Sequence, residues 1–133
     1  GVDHTWVGDL TFQLTSPSGR SATLINAAGG PLNSGNNFCQ TVLDDAATAS
    51  IQNVTSSQAP FTGTFKPLAP TSTFAGDGAN GTWKLHVTDN AFLDSGNVRA
   101  FSIDVTGFEL TAAIAEKSEP SSRPVQTSGA PTP

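Results

Sequence analysis

Charge is scarce in this chain. Charged residues make up 13% of its 133 residues, about half the usual share. Six Lys and Arg stand against 11 Asp and Glu, for a formal net charge of -5, and no basic cluster occurs. Phosphate contacts need clustered cations, so nucleic acid is excluded as a partner and anionic membrane surfaces are disfavoured. Cysteine is nearly absent too. Cys39 is alone and cannot form an internal disulfide; as a small hydrophobe it is expected to be buried. No apolar run reaches the roughly 18 residues of a spanning helix, so membrane insertion is not expected. No signal peptide is present, but a mature or excised fragment would lack one as well, so its absence does not argue for the cytoplasm.

Chemical signatures are equally sparse. There is no Gly-x-Ser-x-Gly elbow to present a nucleophile and no EF-hand loop. Two separated histidines and one cysteine make no zinc cluster. No repeat at solenoid spacing occurs.

What is present suits a β-sandwich. The length fits one domain. Apolar residues are 36% of the chain, or about 46% once glycine is counted, as in ordinary globular proteins. Ser, Thr, Asn and Gly take the place of charge, and helix formers are few. Along 7–15, Gly8, Leu10, Phe12 and Leu14 alternate with Val7, Asp9, Thr11, Gln13 and Thr15, the pattern of a strand with one core face. Ser16-Pro17-Ser18-Gly19 reads as a turn, and 21–25 as the returning strand of a hairpin. A long Gly- and Asn-rich loop follows over 26–41. Short strands are expected at 41–46 and 50–54. The 56–75 stretch reads as an irregular crossing, because Pro60, Pro67 and Pro70 oppose central pairing, with Phe61, Phe65, Leu68 and Phe74 pinning it down. A strand over 82–89, with Trp83, Leu85 and Val87 on one face, and another over 98–106, with Phe101, Ile103 and Val105 alternating, are expected to form a second hairpin. Residues 109–133, rich in Ser, Pro and Thr towards their end, read as a flexible tail or linker.

Two segments carry a resemblance. The first is His4, Gly8-Asp9-Leu10 and Ser16-Pro17-Ser18-Gly19; the second is Gly81-Thr82-Trp83-Lys84-Leu85-His86-Val87-Thr88-Asp89. Between them come Phe38, Asp44-Asp45-Ala46, Pro60-Phe61, Lys66-Pro67-Leu68 and Phe74-Ala75-Gly76. Asp94-Ser95-Gly96-Asn97-Val98 and Phe101-Ser102-Ile103 close the series. In order and spacing, over about residues 4–108, these resemble the P domain (P/Homo B domain) of subtilisin-like proprotein convertases and secreted bacterial serine proteases. The resemblance implies an all-β, jelly-roll-like β-sandwich (galactose-binding-domain-like) over 1–108. It also implies a secreted or cell-surface setting and a non-catalytic role beside the catalytic protease domain of the same polypeptide. Family members usually carry an early strand or two before the opening histidine, whereas three residues precede it here. Either those strands lie outside the given sequence or another segment replaces them; if they are missing, a neighbouring strand is expected to present an open edge.

Few residues offer chemistry. His4 is expected to be structural, hydrogen-bonded near a strand start. His86 alternates away from Trp83, Leu85 and Val87 and is expected to face solvent. Asp9 is expected to accept backbone N–H bonds from a neighbouring loop, as carboxylates do strongly. Calcium takes six to eight oxygens, and Asp44, Asp45, Asp89 and Asp94 are the best donors, with Asn90 and Asp77 as further candidates. Some P domains bind calcium, which the resemblance carries over as an expectation. The alternative is a set of Asx turns and surface carboxylates that needs no metal. Trp83 is expected to pack in the core and Trp6 to be partly exposed. A platform made by these two indoles would point instead to a carbohydrate- or surface-binding module of a secreted hydrolase. A structural or adhesion module is a third class.

Overall fold

The computed structural model describes residues 1–107; the expected tail over 109–133 lies outside the described residues. Seven strands occur among them: β1 (Val2–Asp3), β2 (Leu10–Thr15), β3 (Ser21–Asn26), β4 (Phe38–Leu43), β5 (Phe61–Phe65), β6 (Lys84–Asp89) and β7 (Asn97–Val98). They make two sheets, one in the order β5-β4-β1-β7 and one in the order β3-β2-β6. The result is an all-β, two-sheet sandwich.

The three-stranded sheet grows from local pattern. Leu10, Phe12 and Leu14 are buried on one face of β2, as the alternation requires. Gly19, at φ +90°, closes the turn, and its N–H donates to Ser16 O at 2.9 Å. The β2–β3 register shifts between Phe12 and Gln13. That bulge lets Leu24 and Ile25, which are adjacent in β3, both be buried. On its other side β2 pairs antiparallel with β6, from Leu10 opposite Asp89 to Thr15 opposite Lys84.

Aromatic rings join the two sheets. Phe12 of β2 meets Phe38 of β4 edge-on, with centroids 5.3 Å apart, and Phe38 lies 5.6 Å from Phe61 of β5. Phe61, Ile51 and Val7 are the largest fully buried side chains.

Several sequence expectations need correction. The strand expected at 41–46 is β4, which begins at Phe38 and ends at Leu43, because Asp44 and Asp45 turn the chain. At 50–54 a single bridge, Ser50 to Lys66, precedes a 3-10 turn over Ile51–Asn53. The 56–75 crossing contains a regular strand after all. β5 pairs parallel with β4 at the sheet's edge, and Pro60 and Pro67 bracket the strand rather than interrupt it. The strand expected to begin at Thr82 begins at Lys84. No second hairpin forms: β6 pairs with β2 while β7 pairs with β1, so the 90–96 connection passes from one sheet to the other. Of the strand expected over 98–106, only Val98 lies in β7. Cys39 is exposed. Its neighbour Gln40 takes φ +51°, where the β4–β5 register shifts, and this irregularity turns the thiol outward.

Phe61→Ala is expected to lower stability by about 3–5 kcal/mol, through lost burial and the cavity left behind. Leu32→Ala, at a side chain already exposed, is expected to stay within about 0.5 kcal/mol. Urea unfolding of both variants checks the pair.

Candidate metal centre

His4 follows β1 directly, and Asp89 ends β6 in the facing sheet. The folding of the two sheets therefore brings together residues 85 positions apart. The His4 side chain is 1% exposed. A carboxylate can only accept, so the ring proton belongs on Nε2. From there His4 donates to Asp89 Oδ2 at 3.2 Å, while Nδ1 meets the Trp6 main chain, either accepting from its N–H at 3.1 Å or, when protonated, donating to its carbonyl. The Trp6 carbonyl oxygen lies 2.9 Å from Nδ1 and Asp94 Oδ2 lies 3.7 Å from it. Asp94 also accepts from the Thr5 hydroxyl at 2.8 Å.

Backbone holds this corner closed. The N–H of His4 donates to Asn37 Oδ1 and its carbonyl accepts from the Asn37 N–H. A β-carbon on Gly96 would stand 2.5 Å from His4 Cδ2, so the loop carrying Asp94 passes over the imidazole only because residue 96 has no side chain. Gly8 has the same constraint. A β-carbon there would stand 2.5 Å from Gly30 O, which is how the 3-10 turn Val7–Asp9 seats against the long loop. Asn33 organises that loop from within, donating to Ala28 O at 2.8 Å and accepting from the Gly35 N–H at 2.9 Å.

His4, Asp89 and Asp94 each offer a ligand atom, and all lie within 4.8 Å of one another. This group can chelate a metal ion. Asp9 stands close enough to feel it. Burial holds the Asp9 carboxyl above its ordinary value, and the neighbouring Asp94 and Asp89 carboxylates add to that, with His4 opposing. Asp89 is held below its ordinary value, first by the Ala91 N–H on Oδ1 and then, against some burial, by His4.

The other expected metal ligands lie elsewhere. Asp44 Oδ1 accepts from the Ala46 N–H at 2.8 Å, an Asx turn. Asp45 caps the 3-10 turn Thr71–Phe74, accepting from the Thr71 and Ser72 N–H groups at 2.7 and 2.9 Å. Burial pushes the Asp45 carboxyl up, but these bonds outweigh it and the group lies below its ordinary value. Asp77 accepts from the Ser16 and Ser18 hydroxyls at 2.6 and 2.9 Å and faces Arg20 at 3.3 Å. The Ser16 bond is the main reason that its carboxyl lies low, with Ser18 and Arg20 adding and burial opposing. Asn90 joins the cluster's rim differently, giving its N–H and Nδ2 to the main-chain oxygen of Asp9. That main-chain oxygen, not the expected carboxylate, is the Asp9 acceptor in the described hydrogen bonds. His4 itself was legible as a structural hydrogen-bonding residue; its place beside two acids was not, since nothing local links positions 4 and 89.

Neither histidine ring is hydrogen-bonded to a Ser, Thr or Cys side chain among the described residues, so no nucleophile–base pair is formed. His86 is exposed, as its place in the alternation led one to expect. Trp83 packs edge-on against Phe74 with centroids 5.3 Å apart and donates to Ala79 O. Trp6 is 37% exposed, with its indole N–H fixed on Pro31 O at 3.1 Å.

The family model of the proprotein convertase P-domain matches residues 1–105. The chain belongs to this family, and like it has no hydrolase active site among the described residues. No curated protein and no solved structure matches the chain. No helix among the described residues is long and apolar enough to cross a membrane.

The carboxylates predict a pH response. Asp45, Asp77 and Asp89, held below 3.8, contribute stability that is present above 3.8 and lost as pH falls through their lowered native values. Asp9, held above 3.8, acts in the opposite sense: its charge costs stability above its raised native value, and that cost disappears as pH falls towards 3.8. Thermal unfolding in chelator should therefore show Tm dropping steeply below pH 3.8. Asp45→Asn should make that acid limb shallower, and Asp9→Asn should raise Tm at pH 7.

Proposed function

We infer that this chain is the accessory P domain of a secreted subtilisin-like serine endopeptidase, packing against the catalytic domain of the same polypeptide and supporting its folding, stability or specificity. The match of the family model over residues 1–105 carries this reading. The family also supports a jelly-roll-like winding for the two sheets, akin to galactose-binding domains. The peptide-bond chemistry belongs to the catalytic domain. The fixed indoles of Trp6 and Trp83 speak for packing rather than for a sugar-binding platform.

The cation we assign to the cluster is calcium, held by the carboxylates of Asp89 and Asp94. Burial raises the Asp9 carboxyl and the neighbouring Asp94 and Asp89 carboxylates add to it; a divalent cation relieves the repulsion part. Both His4 nitrogens are engaged in hydrogen bonds, so oxygen donors remain, the type that calcium takes. His4 then orients Asp89. A bound ion would supply charge neutralisation at this corner and no catalysis.

Two measurements test these readings. Deleting this domain from the parent protease should lower the yield of active, soluble enzyme; unchanged yield and heat stability would contradict an accessory role. For the cation, calcium should raise the Tm of the purified chain and excess chelator should reverse it, with matched ionic strength having no effect. Asp94→Asn should abolish that response. A Tm indifferent to calcium would remove the ion and leave a metal-free hydrogen-bonded corner.

A further inference from the structure

The connection from β6 to β7 ends its first turn on two bare apolar side chains. Phe92 is 93% exposed and Leu93 is 105% exposed. Leu93 also takes φ +91°, a strained conformation for a bulky residue. The main chain is as open as the side chains: the N–H and C=O groups of 92–96 take part in no described hydrogen bond. Both ends of this span are fixed nonetheless. Asn90 gives its N–H and Nδ2 to Asp9 O, and the Ala91 N–H donates to Asp89 Oδ1 at 3.2 Å. Asp89 Oδ2 is held by His4, and Asp94 Oδ2 accepts from the Thr5 hydroxyl at 2.8 Å. Phe92 and Leu93 therefore sit on a short, strained, unbonded stretch between the two carboxylates of the cation cluster.

Such a stretch is what an endopeptidase can use. A peptidase binds its substrate extended, so a bond is cut where the main chain opens at little cost, as at exposed loop tips. Here no main-chain bond has to break in 92–96, and extending the loop relieves the strain at Leu93. Other exposed apolar residues lack this combination. Leu32 is exposed, but the next residue, Asn33, is buried, with its N–H on Gly30 O and its carbonyl accepting from the Gly8 N–H. Leu68 donates to Leu24 O and Ala69 to Thr23 O. Phe101 lies between main-chain bonds of Arg99 and Ala100 to Gly1 and the packing of Ile103 on the core.

We propose that the Phe92–Leu93 bond is a cleavage site for an endopeptidase that prefers an aromatic or large apolar residue before the cut bond, and that a cation on Asp89 and Asp94 controls access to it. The gating half rests on the calcium reading above. Opening the loop carries Asp94 away from Asp89, so the ion must leave first. Hydrolysis consumes one water and leaves a carboxylate on Phe92 and an ammonium group on Leu93. The cut places Asp89 and Asp94 on different fragments, and the chain no longer keeps the two ligands together. The piece that begins at Leu93 is then held by the two residue pairs of β1 and β7, the bonds to Gly1 and the packing of Ile103. Loss of the cation thus exposes the one bond whose cutting makes rebinding harder, which turns a reversible loss into a permanent one.

The test is limited digestion of the whole 133-residue chain by chymotrypsin, with cuts located by mass spectrometry and Tm measured on the same samples. In chelator, the first cut within residues 1–107 should fall after Phe92 or Leu93. Calcium at ten times its Kd should slow that cut about tenfold, because it lowers the open population by that factor. The capped peptide acetyl-Asp-Asn-Ala-Phe-Leu-Asp-Ser-amide should be cut equally fast with calcium or chelator, which separates an effect on the loop from one on the protease. Asp94→Asn should be cut fast under both conditions. A first cut at another bond within 1–107 would overturn the proposal, and so would a rate at Phe92–Leu93 that calcium leaves unchanged. In that last case, a Tm raised by calcium would show that the calcium reading stands and only the gating fails, whereas an indifferent Tm would show that both fail.

Discussion

The hydrogen bond from His4 to Asp89 is the constraint on which the rest of this corner depends. It runs from the end of β1 in one sheet to the end of β6 in the other, and it is made by a side chain withdrawn from water. A buried imidazole without partners would cost free energy comparable to a lost hydrogen bond or more. Here both nitrogens are engaged. The loop from β6 to β7 can cross between sheets because Gly96 clears the ring, and at this corner His4 holds the Asp89 carboxylate while the Thr5 hydroxyl holds that of Asp94.

The two ends of the sandwich are built differently. At the His4 corner polar groups close the structure, and main-chain bonds from Val7, Gly8 and Asn37 fasten the first strand to the long loop. The centre is apolar, with Phe12, Phe38 and Phe61 in contact. Val42, Phe101 and Val105 are half-exposed.

Local pattern made some of this legible. The β2–β3 hairpin follows from two-residue alternation and a turn whose Pro and Gly each have a steric reason, and β6 follows from Leu85 and Val87. Pairing across the sequence was not legible. β6 belongs beside β2, and nothing near Lys84 says so. The prolines at 60 and 67 looked like breakers of β5 because their spacing to Phe61 and Phe65 reads equally well as interruption or as bracket. Phe101, Ile103 and Val105 showed a strand's alternation, but a strand also needs a ladder partner, which periodicity does not report. Among the acids, residue type could not separate Asp44, in an Asx turn, and Asp45, accepting from two N–H groups, from Asp89 and Asp94, gathered at a histidine some 85 residues away.

The account's central claim is that His4 and Asp89 act together across the two sheets. The most direct measurement is a double-mutant cycle of His4→Ala and Asp89→Ala, by urea unfolding at pH 7 with chelator present so that no cation contributes. Groups in direct contact couple, and the predicted interaction energy is at least about 1 kcal/mol, with the double variant losing less than the sum of the single losses. Losses that add within about 0.3 kcal/mol would show that the two side chains stabilise the fold independently, and would contradict the claim.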